Sequence, residues 1–227
     1  MWQALVQDTR FASARKWPGA RPGALRSAWL WFASPGLWIL FVHRLSHVCR
    51  QLVTSHPRAT PLCRLLQVLT TVLQWMIAVS AKTDVYSRTT IEPGVALDDS
   101  GHIILGAQHI GTGTFIGAGT TIGMSLHDSA VPDIGRNVYI GPGCMVYGGL
   151  SLGDGATLMA DTVVTRSVPA GVAVRGNPAR VIDRNFDNTP LRLNLVQPDE
   201  PRRTAARTPG QQDSGPHCQA GCGVKSD

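Results

Sequence analysis

The sequence predicts a mainly β chain wound into a three-sided parallel β-helix, with an α-helical N-terminal segment and a disordered C-terminal tail. Three observations carry that prediction. Aliphatic residues recur at every sixth position across residues 91–164, glycine follows many of them, and the composition changes abruptly on both sides of that stretch.

The grid begins with Ile91, Leu97 and Ile103, slips by one residue to Ile110, Ile116 and Ile122, and breaks. It resumes at Ile134, Ile140, Val146, Leu152, Leu158 and Val164. Glycine follows at 111, 117, 123, 135, 141 and 153, and a small or β-branched residue recurs four places on, at Thr114, Thr120, Val138, Cys144, Ala156 and Thr162. An internal repeat of this kind takes precedence over local propensities. Six residues make one short strand and one corner, so three hexads close a triangular coil of about 18 residues. The aliphatic side chain then stacks inward on its equivalent one coil away, beside a small inward neighbour. Gly, Asn and Asp supply the positive φ that corners demand. A helix requires period 3.6 and tolerates few glycines. Twelve hexads give about four coils, above the roughly three that a solenoid needs.

Residues 1–82 read as helical. Leu37–Val53 and Pro61–Ser80 show apolar spacing of three and four, separated by the breaker stretch Ser55–Pro61. The most apolar run, Ala28 to Val42, is shorter than the roughly 20 residues that span a bilayer, and Pro35-Gly36 interrupt it. It reads first as a self-burying helical hairpin that caps the open end of the solenoid. Peripheral membrane contact is the second reading, because Trp29, Trp31 and Trp38 lie near Arg26 and Arg44.

Net charge is +6, unevenly placed. Residues 1–82 hold ten Arg and Lys against Asp8 alone, residues 83–182 are net acidic, and residues 183–227 balance. A basic end calls for an anionic neighbour, but no basic motif with interleaved aromatics points to nucleic acid. Residues 183–227, rich in Pro, Arg, Gln, Asp and Ser, read as a disordered tail. The five cysteines form no disulfide framework, which fits a reducing, cytoplasmic setting. Cys218 and Cys222 near His217 lack zinc-knuckle spacing and a fourth ligand, so no metal is expected there.

The stretches IGTGTFIGAGTTIG (110–123) and DIGRNVYIGPGCMVYGGLSLGDGATLMADTVVTRSVPAGVAVRGNPARVI (133–182) resemble the hexapeptide-repeat acetyltransferases, which are left-handed parallel β-helix proteins. Among these the chain looks most like serine acetyltransferases and their relatives in polysaccharide gene clusters, where a segment similar to SPGLWILFVHRLSH (34–47) precedes the β-helix. The resemblance covers roughly residues 34–182. It implies acetyl-CoA as co-substrate, no metal, and a homotrimer with sites in the grooves between neighbouring prisms. By position it places the pantetheine arm near Gly123, Met124 and Ser125 and against Pro142 and Ala160, with Arg166 or Arg180 near CoA phosphate. For both arginines the competing reading is a solvated surface charge.

Attack of a hydroxyl on a thioester needs a general base and donors for the developing oxyanion, and histidine suits the first task near neutral pH. The break in the grid, GMSLHDSAVPDIG (123–135), is a loop on a rigid scaffold, where function often resides. His127 lies five residues after Ile122, the offset at which sugar O-acetyltransferases of this family carry their base, and Asp128 resembles the aspartate paired with it. Its competing reading is a solvent-exposed loop histidine. Serine acetyltransferases place an Asp-His pair where this chain reads LDDSGH, so Asp99 stands at the histidine position. Their second histidine corresponds to Val131 beside Pro132, and their upstream aspartate falls near Thr90. His102 and His109 are further candidate bases, otherwise surface strand histidines.

The sequence therefore predicts an acetyl-CoA-dependent O-acetyltransferase acting on serine or on a sugar of a polysaccharide intermediate. A catalytically inactive β-helix scaffold or binding subunit is the reading from another class. A three-histidine zinc site of the γ-carbonic-anhydrase kind lacks its early-coil spacing.

Overall fold

A computed structural model describes residues 2–19, 23–55, 65–66, 68–73, 75–76, 82–86, 88–126 and 129–195. His127 and Asp128 lie outside the described residues, as do His217, Cys218 and Cys222. Three helices, α1 (Trp2–Lys16), α2 (Ala24–Ala33) and α3 (Pro35–Ser55), precede the β region. Residues 65–66, 68–73 and 75–76 are also helical. Ser34 closes α2 with its N–H on the Leu30 carbonyl, and Pro35 opens α3, where a missing N–H costs nothing. The two helices meet at 85°.

The β region forms a three-sided rod. One face joins β1 (Asp84–Val85), β4 (Ile104–Leu105), β7 (Thr121–Gly123), β10 (Met145–Tyr147) and β13 (Val163–Val164). A second joins β2 (Thr90–Ile91), β5 (His109–Ile110), β8 (Asp133–Ile134) and β11 (Ser151–Leu152). The third joins β3 (Ala96–Leu97), β6 (Phe115–Ile116), β9 (Tyr139–Ile140), β12 (Thr157–Leu158), β14 (Ala173–Arg175) and β15 (Arg180–Asp183). All pairings are parallel except β14 with β15. Tyr139 pairs with Thr157, eighteen residues on, which is the length of one three-hexad coil.

Every aliphatic residue on the predicted grid is buried. They stack in register, as in the column Ile91, Ile110, Ile134, Leu152 and the column Leu97, Ile116, Ile140, Leu158, Val174. One assignment needs correcting. Leu105, not Ile103, aligns with Val85 and Ile122 in the remaining column. The corner after β3 is lengthened: Ser100 N–H caps the Asp98 carboxylate at 2.9 Å, and Gly101 and His102 both take positive φ. Ile103 is buried too, within the same core cluster.

The inward threonines do more than fit. Thr120 Oγ1 donates to the Gly117 carbonyl at 2.7 Å, and Thr162 Oγ1 to that of Met159 at 2.6 Å, so each hydroxyl satisfies a corner carbonyl of its own coil. The corner glycines also divide into two kinds. Gly143 holds φ +70°, the expected reason. Gly117 does not; a Cβ there would lie 2.6 Å from the Pro142 nitrogen, so the stacking distance itself excludes a side chain.

The helical cap is fastened by one buried ion pair. Arg44 donates to both Asp8 oxygens at 3.0 and 3.1 Å, and to the Ile91 and Glu92 carbonyls of the first coil. Asp8 in turn accepts the Gly94 N–H at 2.7 Å. Burial pushes the Asp8 carboxyl up, while Arg44 and the Gly94 N–H hold it down. From α3, Ile39 and Leu40 join the rod's core.

Residues 183–195 correct the reading of a structureless tail beginning at 183. After β15, Asn188 Nδ2 donates to the Asn137 and Gly155 carbonyls, and the short helix α4 (Thr189–Arg192) lies along the rod. Arg192 donates to the Gly113 carbonyl at 2.7 Å, and Arg15 of α1 donates to the Leu191 and Arg192 carbonyls. These polar residues order the strap because exposed corner carbonyls accept from them.

Candidate active site

Corners stack into edges, and two edges of the rod carry the residues predicted for the site. The first edge follows the strands β3, β6, β9 and β12. Along it Gly117 donates to Ile140 and Gly141 to Leu158, each at 2.8 Å. Ala118, Pro142 and Ala160 therefore stack in one line, joined by Gly143 N–H to Ala118 O at 2.8 Å and Asp161 N–H to Pro142 O at 2.9 Å. Asp99 sits at the cap end of the same edge. Its Oδ2 accepts from Ser34 Oγ at 3.1 Å and pairs with Lys16 Nζ at 3.4 Å. These groups line a cleft of about 350 Å³ with Arg15, Asp98 and Asn194. The Arg15 guanidinium lies 3.2 Å over the Phe115 ring, which stacks on Tyr139. Burial pushes the Tyr139 phenol up, against the Arg15 guanidinium that draws it down.

The second edge follows β4, β7, β10 and β13, and from it the 124–132 loop departs. Here Gly106 and Gly123 stand between Tyr86 and Tyr147 in the stack of corner positions; Tyr147 pairs with Gly123 and Tyr86 N–H reaches Leu105 O. Without side chains at the two central positions, a mostly apolar pocket of about 270 Å³ opens, bounded by Asp84, Tyr86, Met124, Val131 and Tyr147. Met124 and Leu126 are exposed at the loop's departure. Arg166, exposed, lies on the same edge in the bend after β13.

The structure thus divides the predicted site residues. Gly123, Met124, Ser125 and Arg166 belong to the second edge; Asp99, Pro142 and Ala160 belong to the first. Six residues at about 3.3 Å each put two edges up to roughly 20 Å apart. Arg180 opens β15 and is exposed. His102 is exposed on the lengthened corner. His109 is engaged on the second face: Nε2 lies 3.3 Å from Glu92 Oε1 and Nδ1 3.5 Å from Asp133 Oδ1. Glu92 is held below the usual carboxylate range first by the Thr112 N–H at 2.9 Å and then by His109 and Arg136. Sequence reading missed Tyr86, Tyr147 and Asp84. Their signal was a tyrosine at 147 in place of the glycine that usually follows the inward residue, legible only once edges are aligned.

A family description, bacterial transferase hexapeptide (six repeats), matches residues 132–166. The chain is 28% identical over 188 residues to the serine acetyltransferase of Synechococcus elongatus, covering 82% of this chain and 70% of that protein. It is 28% identical over 161 residues to serine acetyltransferase 2 of Arabidopsis thaliana, covering 68% and 50%. It spans about half the length, or less, of most of the curated relatives it matches. Among solved structures, the serine acetyltransferase of Brucella abortus in complex with coenzyme A superposes with TM-score 0.67 at 23% identity, over 82% of this chain and 69% of that one.

Fold and repeat together define a left-handed parallel β-helix of the hexapeptide-repeat kind. Within that fold the chain is similar to serine acetyltransferases.

Proposed function

We propose that the chain is an acetyl-CoA-dependent O-acetyltransferase that acts on a small hydroxyl acceptor. The observation that carries this reading is the second-edge pocket, a groove floored by Gly106 and Gly123 between two tyrosines, from whose rim the loop bearing His127 departs. Its apolar walls suit a pantetheine arm, and Arg166 supplies positive charge on the same edge for phosphate. The two serine acetyltransferases reported above point by name to serine as the acceptor. Asp99 and Val131 at the two histidine positions of the serine enzymes favour a sugar hydroxyl of a polysaccharide intermediate as the second reading.

In this mechanism His127, with Asp128 as the aspartate that the resemblance pairs with it, takes the proton from the acceptor hydroxyl as its oxygen attacks the thioester carbonyl. Corner N–H groups stabilise the oxyanion, the C–S bond breaks, and the proton returns to the departing thiolate. No covalent enzyme intermediate is needed when both substrates are held together. The division of site residues between two edges supports a homotrimer in which the first edge of one chain faces the second edge of the next. Asp99 then serves the acceptor side, with Lys16 and Ser34 fixing its carboxylate.

Purified protein given acetyl-CoA and a panel of serine and sugar acceptors is expected to release free CoA thiol. His127→Ala should lower that rate by about 10²-fold or more, the usual worth of a general base. Unchanged activity in the variant would remove His127 from the mechanism. Light scattering should give three times the 24.3 kDa chain mass; a monomer would overturn the shared site.

A further inference from the structure

The cap presents an apolar face that the rod does not use. On α2, Leu25, Trp29 and Phe32 follow one another at helical spacing, so they share one side, and they are 88%, 53% and 89% exposed. Leu30, on the other side, is buried. The face continues round the 85° corner to Trp38, also exposed, whose indole N–H donates to the Trp31 carbonyl at 2.7 Å. Trp31, Trp38 and Phe41 pack edge to face at 5.9–6.0 Å, so the corner is a stiff aromatic cluster. Leu65, Leu69, Val72 and Met76, at spacings of four, three and four, are exposed as well.

Charge decides what covers such a face. Of the residues 1–82, Asp8 is the sole acid against ten bases, and its carboxylate is buried and committed to Arg44. The outward charge of the cap is therefore positive. Lys16 lies 5.1 Å from the Trp29 ring centroid, and Arg26 is exposed on α2 itself. Aromatic rings flanked by cations are the composition of a segment lying in a lipid headgroup region. Two copies of this chain pairing through the same face would instead bring like charges together.

We infer that α2 and the start of α3 dock flat on a bilayer that contains anionic lipid. No single helix among the described residues is long and apolar enough to cross it; α2 and α3 could do so only together, as a pair bent by 85°, and α3 spends Ile39, Leu40 and Val42 on the interior. Apolar burial of Leu25, Trp29 and Phe32 supplies the hold, and the basic cap selects the anionic surface.

The test is flotation of the full chain with vesicles of phosphatidylcholine, with and without phosphatidylglycerol, at low and high salt. The protein should float with the phosphatidylglycerol vesicles, less so at high salt, and weakly with phosphatidylcholine alone. Leu25→Ser and Phe32→Ser should each weaken partitioning by about tenfold, the effect of withdrawing one large apolar side chain, with an unchanged melting curve. Brominated lipids should quench the tryptophan emission of the unaltered protein. Absence of flotation, equal flotation of the variants, or no quenching would overturn the inference. So would a change in oligomeric mass on Phe32→Ser without vesicles, which would assign the face to a second copy.

Discussion

The rod and its helical cap are stabilised in opposite ways. The rod applies one solution repeatedly: each inward aliphatic residue rests on its equivalent one coil away, and the corner hydrogen bonds recur at 2.8–3.2 Å. The cap uses each contact once. Its seat on the first coil joins the buried pair Asp8–Arg44 on the carbonyls of Ile91 and Glu92 to the contacts of Ser34 and Lys16 with Asp99 and to Ile39 and Leu40 in the core. A repeated contact spreads risk over many coils, whereas a unique buried pair concentrates it.

The largest expected effect follows from that concentration. Arg44→Met leaves the Asp8 carboxylate buried without its partner, a loss of about 3–5 kcal/mol. Denaturant unfolding should show the cap releasing before the β signal of the rod. A single coincident transition at unaltered midpoint would break the contrast.

In the rod, Ile140→Ala empties a position stacked between Ile116 and Leu158 and should cost about 2–5 kcal/mol. Because each coil rests on its neighbours, the whole β signal should shift together.

A smaller effect comes from Cys144. Burial raises its thiol from 9.0 to about 11, so the folded chain keeps a proton that the unfolded chain releases. Its contribution is complete below pH 9 and is lost as pH rises towards 11, with a slope of at most about 1.4 kcal/mol per pH unit. Cys144→Ala should flatten stability across that window, measured by urea unfolding at stepped pH; an unchanged slope would contradict the assignment. The smallest effect belongs to the exposed face. Phe32→Ser should alter folding stability by no more than about 0.5 kcal/mol, and a larger loss would mean the ring is covered by its own chain.

The same contrast explains what was legible in the sequence. Period six is written into residues 91–164 and each predicted inward side chain is buried, because stacking demands the same residue type at every level. Leu105 escaped because a corner stretched by Asp98, Gly101 and His102 shifts the register without disturbing the spacing of apolar residues. Asp8 and Arg44 lie 36 residues apart and meet once, so no pattern announces them. Asn188 and Arg192 looked like tail composition, yet the carbonyls of Asn137 and Gly113 order them. Of the candidate site, Pro142 and Ala160 fall on one line as their shared place in the hexad requires. Asp99 shares that edge, but its carboxylate is tied to Lys16 and Ser34 from distant helices, which the hexad cannot encode.

The most direct test of the account is a calorimetric titration of the purified protein with coenzyme A. Saturable binding is expected, at one site per chain, that weakens when Gly123→Leu fills the floor of the second-edge pocket. No heat with the unaltered protein, even at millimolar coenzyme A, would contradict acyl transfer and leave the rod a scaffold.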